Sequence, residues 1–151
     1  MSKLKIPPPI QGLFWAFCML GITRLLPDLN YRFSFQTILG FLFIGAGLFL
    51  DLLSIKSFWT AKTTINPLKP EKASQLVISG FYRFSRNPMY LGLAMLLIGW
   101  SVLLGNPVNL IMIGCFIGAM NVFQIKPEEA ALKSKFGNEY DDYARRVRRW
   151  I

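Results

Sequence analysis

The stretch Ser79-Gly80-Phe81-Tyr82-Arg83-Phe84-Ser85-Arg86-Asn87-Pro88-Met89-Tyr90-Leu91-Gly92 runs directly into an apolar segment. It is answered downstream by Pro127-Glu128-Glu129-Ala130-Ala131-Leu132 and Phe136-Gly137-Asn138-Glu139-Tyr140-Asp141-Asp142-Tyr143. Each block mixes charged, amide and aromatic side chains, and each borders a hydrophobic run. Polar blocks in that position predict a helical membrane bundle with a small-molecule site where the bilayer meets the cytoplasm.

Working outward, four apolar runs stand out, Ile10 to Leu26, Ile38 to Ile55, Met89 to Leu104 and Val108 to Ile125. Hydrophobic residues make up 53% of the 151 positions while the net charge is +9, and mean hydropathy is +0.39. Apolar and basic residues are therefore segregated along the chain, as in a membrane protein. Each run is near the shortest length that crosses the hydrocarbon, roughly 17 to 20 residues. The expected fold is all-α: a polytopic bundle of about four transmembrane helices followed by a C-terminal amphipathic interfacial helix. Gly105-Asn106-Pro107 favours a tight turn that makes the third and fourth runs a hairpin.

Charge orients the bundle. With the N-terminus inside, every Lys and Arg except Arg24 and Arg32 falls on the cytoplasmic side. Both termini and both polar blocks are then cytoplasmic in an integral membrane protein. Anionic lipid headgroups account for the excess positive charge, so no nucleic-acid partner is expected. Lys3 and Lys5 ahead of the first run resemble a secretory leader. That run ends in Arg24-Leu25-Leu26-Pro27-Asp28 without small residues for cleavage, which predicts a retained span.

The chain reads as a single domain over 1–151, with its ligand-binding part about 66–151. Pro7-Pro8-Pro9 predicts a stiff, extended lead-in to the first helix. After the fourth run, Leu132, Phe136, Tyr140, Tyr143, Val147 and Ile151 recur at three- and four-residue steps, which predicts one amphipathic helix with Trp150 as an interfacial anchor. Cys18 and Cys115 both lie in apolar runs, as packing residues rather than a disulfide. The absence of histidine removes imidazole bases and His-based zinc sites, and no metal is expected.

The order Gly80-Phe81-Tyr82-Arg83, Arg86-Asn87-Pro88-Met89-Tyr90-Leu91-Gly92, Glu128-Glu129-x-x-Leu132 and Phe136-Gly137-x-Glu139-Tyr140-x-x-Tyr143 resembles the isoprenylcysteine carboxyl methyltransferase and phospholipid methyltransferase superfamily. The resemblance covers about Leu39 to Ile151. It implies a membrane enzyme that uses S-adenosylmethionine to methylate a membrane-embedded amphipathic acceptor, a lipid or a prenylated, lipid-like molecule. It further implies cofactor contacts at Gln75, Leu76, Val77, Tyr82, Asn87, Pro88, Met89, Tyr90, Glu128 and Glu129. Members of the family often carry His where this chain has Asn87, an amide that does not titrate. The isoprenylcysteine enzymes hold the substrate carboxylate with an Arg where this chain has Gln124. A neutral amide there lacks the bidentate grip of a guanidinium, which puts a prenylcysteine substrate in doubt.

Several features carry a second reading. Pro127 followed by two acids is also an ordinary helix start. Arg83 and Arg86 also read as positive-inside anchors, and the tyrosines as belt aromatics. Gly45-Ala46-Gly47 reads either as a cofactor-proximal Gly-x-Gly or as a close helix crossing. The catalytic base is open among Glu129, another group and water. Arg145, Arg146, Arg148 and Arg149 leave room for a reductase with a nicotinamide cofactor, and a non-enzymatic scaffold is the other alternative. The oligomeric state is not legible.

Overall fold

In the computed structural model, residues 6–62 and 73–151 are described. Among them the chain is all-helical, with no strands. Lys3, Lys5, Lys69 and Lys72, which enter the charge reading above, lie outside the described residues.

Helix α1 spans Pro8–Leu25 and α2 spans Gln36–Thr60. Helix α3 covers Pro88–Leu104 and α4 Asn109–Ala119. Helices α5, Lys126–Phe136, and α6, Asn138–Arg146, complete the order. The four apolar runs thus correspond to α1, α2, α3 and the rod that begins with α4. The α2 helix and the stretch Asn109–Phe136 are long and apolar enough to cross a membrane. Their outer faces support that placement, because Phe41, Leu42, Phe49, Leu52, Leu110, Ile111 and Phe123 are all more than 60% exposed. Side chains of that kind in such number favour hydrocarbon over water.

Helix α3 is central and packs against α1, α2 and α4. Its contact with α2 is a glycine seam. A Cβ at Gly47 would lie 2.7 Å from the Gly92 carbonyl oxygen, and one at Gly99 would lie 2.6 Å from that of Gly40. The pairings 47 with 92 and 40 with 99 run antiparallel, so hydrogen atoms in place of side chains let two backbones touch over two helical turns. Gly47 serves this crossing, and a Cβ at Gly45 meets nothing within 4 Å. On its other side α3 joins Met19 of α1 with Ile113 and Phe116 of α4 in the main apolar core.

The turn after α3 forms as expected. Gly105 adopts the left-handed conformation, φ +72°, that closes the helix. Asn106 then ties three segments together, donating to Leu26 O at 3.0 Å and Asn30 Oδ1 at 2.8 Å and accepting from Val108 N at 3.1 Å.

Four expectations need correction. Pro8 and Pro9 begin α1 itself, where fixed φ and missing N–H groups suit the first turn, so they are not an extended lead-in. Pro127 does not start a helix. The α4 helix continues through a π-helical stretch, Met120–Ile125, directly into α5, and Ile125 holds helical angles at the junction. The wider turn accommodates a proline that has no N–H to donate. The C-terminal apolar series occupies two helices, because Gly137 at φ 52° and ψ −123° breaks the chain between them. Tyr140, Tyr143 and Val147 still share a cluster with Leu76, Leu132 and Phe136, whereas Ile151 is exposed. Finally, Trp150 packs onto the main core and its indole donates to Asn121 Oδ1 at 3.0 Å, which fixes the C-terminus to the rod.

Gly99→Val inserts a branched side chain into a backbone contact and is expected to destabilise the protein by about 1–3 kcal/mol. Gly21→Val, where a Cβ meets nothing within 4 Å, is expected to leave stability nearly unchanged. Thermal unfolding of both variants in detergent measures the difference.

Candidate functional site

One cavity of about 630 Å³ opens among α2, the segment 73–77, the short 3-10 turn Gly80–Arg83, and the beginnings of α1, α3 and α5. That volume is in the range of small-molecule sites, about 300–1,000 Å³. Of the positions nominated from sequence, Gln75, Leu76, Val77, Tyr82, Asn87, Met89, Tyr90, Glu128 and Glu129 all line it. Pro88 does not, since it is buried at the first position of α3. Gln124 is buried one turn before Glu128, behind the lining residue Tyr90 to which its side chain hydrogen-bonds, and its Oε1 accepts from Gln11 Nε2 at 3.4 Å. Gly45, Ala46 and Gly47 are also outside the lining, and of the two glycines only Gly47 sits in the close helix crossing.

The two motif blocks meet through a half-buried ionic knot. Arg86 Nη2 donates to Glu129 Oε1 at 2.9 Å, and its Nη1 donates to the Ala144 carbonyl at 3.0 Å. Arg149 engages the same carboxylate twice, Nε to Oε1 at 3.1 Å and Nη2 to Oε2 at 2.6 Å. The side chains of Arg86 and Glu129 are only 14% and 17% exposed, so solvent screens their pair weakly. The carboxylate holds the Arg149 guanidinium above its ordinary pKa through those hydrogen bonds. Arg86 is therefore a structural clamp and not a surface anchor, while Arg83 is exposed.

Backbone contacts reinforce the knot. Arg86 N donates to Arg148 O at 2.9 Å, and Asn87 Nδ2 donates to Arg149 O at 2.9 Å. Tyr143 Oη donates to the Tyr82 carbonyl at 2.7 Å, and the Tyr82 ring meets Phe58 of α2 edge-on at 5.4 Å between centroids. Burial, and then the nearby charge of Glu128, push the Tyr82 phenol well above its ordinary pKa. These tyrosines are thus buried wall elements and not belt aromatics.

Facing the interior, Tyr90 Oη donates to Glu128 Oε2 at 2.7 Å. Asp51 of α2 also lines the cavity, and its buried Oδ1 has no hydrogen-bond partner among the described residues. A methyl group at Gly92 would collide with that same oxygen. Sequence reasoning passed over Asp51. Its signal was present, since a lone acid inside an apolar run is costly unless it serves a ligand or partner. The lining also gains Phe58, Leu93 and Pro7, which carry no distinguishing sequence pattern.

The arrangement offers apolar walls, an unsatisfied carboxylate, a tyrosine-bound carboxylate and a neutralised third acid. It suits a ligand that combines a cationic group with flat and apolar parts. No group of three or more metal-ligating acids, cysteines or histidines occurs among the described residues.

The sequence profile of the phospholipid methyltransferase family matches residues 35–139. The chain belongs to that family. The match spans α2, α3 and the Glu128-Glu129 pair, and it leaves Pro7, Pro8, Pro9, Tyr140 and Tyr143 of the cavity lining outside. Among similar proteins is the protein-S-isoprenylcysteine O-methyltransferase of Schizosaccharomyces pombe, 32% identical over 79% of this chain and 50% of the relative. The protein of the same description from Saccharomyces cerevisiae is 31% identical over 82% of this chain and 54% of its own. A Haemophilus influenzae protein is 46% identical over 42% of this chain and all of its own length. The chain thus spans about half the length of the two yeast relatives. No solved structure matches it.

Glu129→Ala leaves the half-buried Arg86 guanidinium with the Ala144 carbonyl and without its ionic partner, and is expected to cost about 1.5–3 kcal/mol. Hydrogen exchange checks where the loss falls: protection should drop in 84–87 and 144–150 together, with α1 and α4 unaffected.

Proposed function

We propose that this chain transfers a methyl group from S-adenosylmethionine to an amphipathic acceptor that partitions into the bilayer. The observation that carries the proposal is the convergence of the two motif blocks, with Tyr90 bonded to Glu128, on one cavity in a member of the phospholipid methyltransferase family. S-adenosylmethionine supplies an electrophilic methyl carbon on a sulfonium whose departing thioether is neutral. In this reading Glu128 and Tyr90 hold the polar groups of the cofactor, Gln75, Leu76 and Val77 provide an edge of backbone and side chains, and Met89 and Tyr82 form the apolar slot.

The residues fit that group. The buried, unpartnered Oδ1 of Asp51 gives the cavity an open acceptor for a cation or a proton. Glu129 is a poor base because both of its oxygens are held by arginines. Asp51 takes the role left open above, as the carboxylate available to an ammonium group or to a proton released by the acceptor. Holding the reactants in line and excluding water supply most of the catalysis.

In the proposed topology α1, α2, α3 and the α4–α5 rod all cross the bilayer, both termini are cytoplasmic, and the cavity opens on that side. The nicotinamide alternative is disfavoured by the lining. Arg86 is its only arginine among the described residues, and that residue pairs with Glu129. Arg149 is committed likewise, and Arg145 pairs with Asp142. A phosphate-bearing dinucleotide would meet three acids there instead.

Purified protein in nanodiscs is expected to bind S-adenosylhomocysteine, and Glu128→Ala to weaken that binding about ten-fold or more, the loss of a hydrogen bond to a charged group. Isothermal titration decides. Wild-type protein that ignores S-adenosylhomocysteine yet binds a reduced dinucleotide would replace this reading with the reductase.

A further inference from the structure

A second cavity, about 420 Å³, lies between the last turns of α2 and the same 3-10 turn that carries Tyr82. Lys56 and Arg83 both line it, with Ser79 beside them and Leu53, Phe81 and Phe84 as apolar wall. Among the described residues no acid lines this groove, in contrast to the main cavity. Neither Lys56 nor Arg83 forms an ion pair among the described residues. Two unneutralised cations that share a concave site, with a hydroxyl at hand, suit a phosphate group.

The surroundings identify what carries that phosphate. Phe49, Leu52, Lys56 and Trp59 follow each other at three- and four-residue steps, so they form one stripe along α2. Phe49 is 61% exposed, Leu52 66% and Trp59 71%, and Phe84 at the rim of the groove is 72% exposed. An apolar stripe on a membrane-spanning helix therefore runs into a basic groove framed by exposed aromatics. That is the order of parts in a phospholipid, from acyl chain through interface to headgroup. A soluble phosphate compound would use the cations and leave the stripe without a role.

We propose that this groove binds the phosphate of an anionic phospholipid, with an acyl chain along Phe49 and Leu52. The proposal rests on the membrane placement of α2 and is independent of the cofactor assigned to the main cavity.

The test is native mass spectrometry of the detergent-purified full chain titrated with phosphatidylglycerol, with phosphatidylcholine, glycerol phosphate and inorganic phosphate as separate arms. Wild type is expected to retain one phosphatidylglycerol saturably and ahead of the other three. Lys56→Gln with Arg83→Gln should weaken it about ten-fold or more, while Arg145→Gln with Arg146→Gln, an exposed basic pair away from the groove, should change it by less than about two-fold. The single variants Lys56→Gln and Arg83→Gln, each at an exposed side chain, give the same answer in smaller steps if the double variant does not fold. Equal losses in the two double variants would mean diffuse surface attraction and overturn the site. Glycerol phosphate or inorganic phosphate binding as tightly as the lipid would overturn the assignment to a membrane ligand, and unchanged lipid retention in the Lys56 and Arg83 variants would overturn both.

Discussion

The Glu129 carboxylate is the constraint on which the candidate site depends. It is gripped by Arg86 from the segment before α3 and by Arg149 from the C-terminal tail, so three stretches far apart in sequence converge on one group. A shielded pair of this kind is weak evidence of net stabilisation, since desolvating the charges offsets much of their attraction. Its contribution is specificity. An arginine left inside without its partner is costly enough that other placements of the tail are disfavoured, and the tail then brings Tyr140 and Tyr143 against the cavity.

The second constraint is steric. Glycines at 40, 47, 92 and 99 bring α2 and α3 into backbone contact, which presses Asp51 against the start of α3. The site is therefore assembled from two unlike halves. A rigid apolar seam sets the position of one carboxylate, and a polar cap held by the ionic knot sets the positions of Tyr82, Tyr90 and Glu128. The π-helical stretch before Pro127 belongs to the same logic, because it carries the rod from the core into the cap without a break. Pi-helical turns within longer helices are frequent at functional positions.

Much of this was legible from the chain alone. The four apolar runs and the Gly105 turn were readable because length, hydropathy and turn chemistry are local properties. The positions that the family resemblance supplied share one lining, apart from Pro88 and Gln124. What escaped was set by tertiary pairing. Arg86 looked like a membrane anchor until Glu129 and Ala144 were seen to surround its guanidinium. Pro127 looked like a helix start because its neighbours have the composition of one, and the preceding π-helical stretch has no composition of its own. Trp150 looked interfacial until Asn121 was found within reach of its indole. Asp51 carried a readable signal, an acid within an apolar run, but its importance rests on an unpartnered oxygen that only the packing exposes.

The central claim is that the two converging blocks form a methyl-donor pocket for an acceptor held in the bilayer. The most direct measurement is to supply methyl-labelled S-adenosylmethionine to membranes with and without this protein, and to follow the label into lipid, small-molecule and polypeptide fractions. The account predicts label in a lipid-soluble fraction with the wild type and none above background with Glu128→Ala. Equal labelling in all three membrane preparations would contradict it.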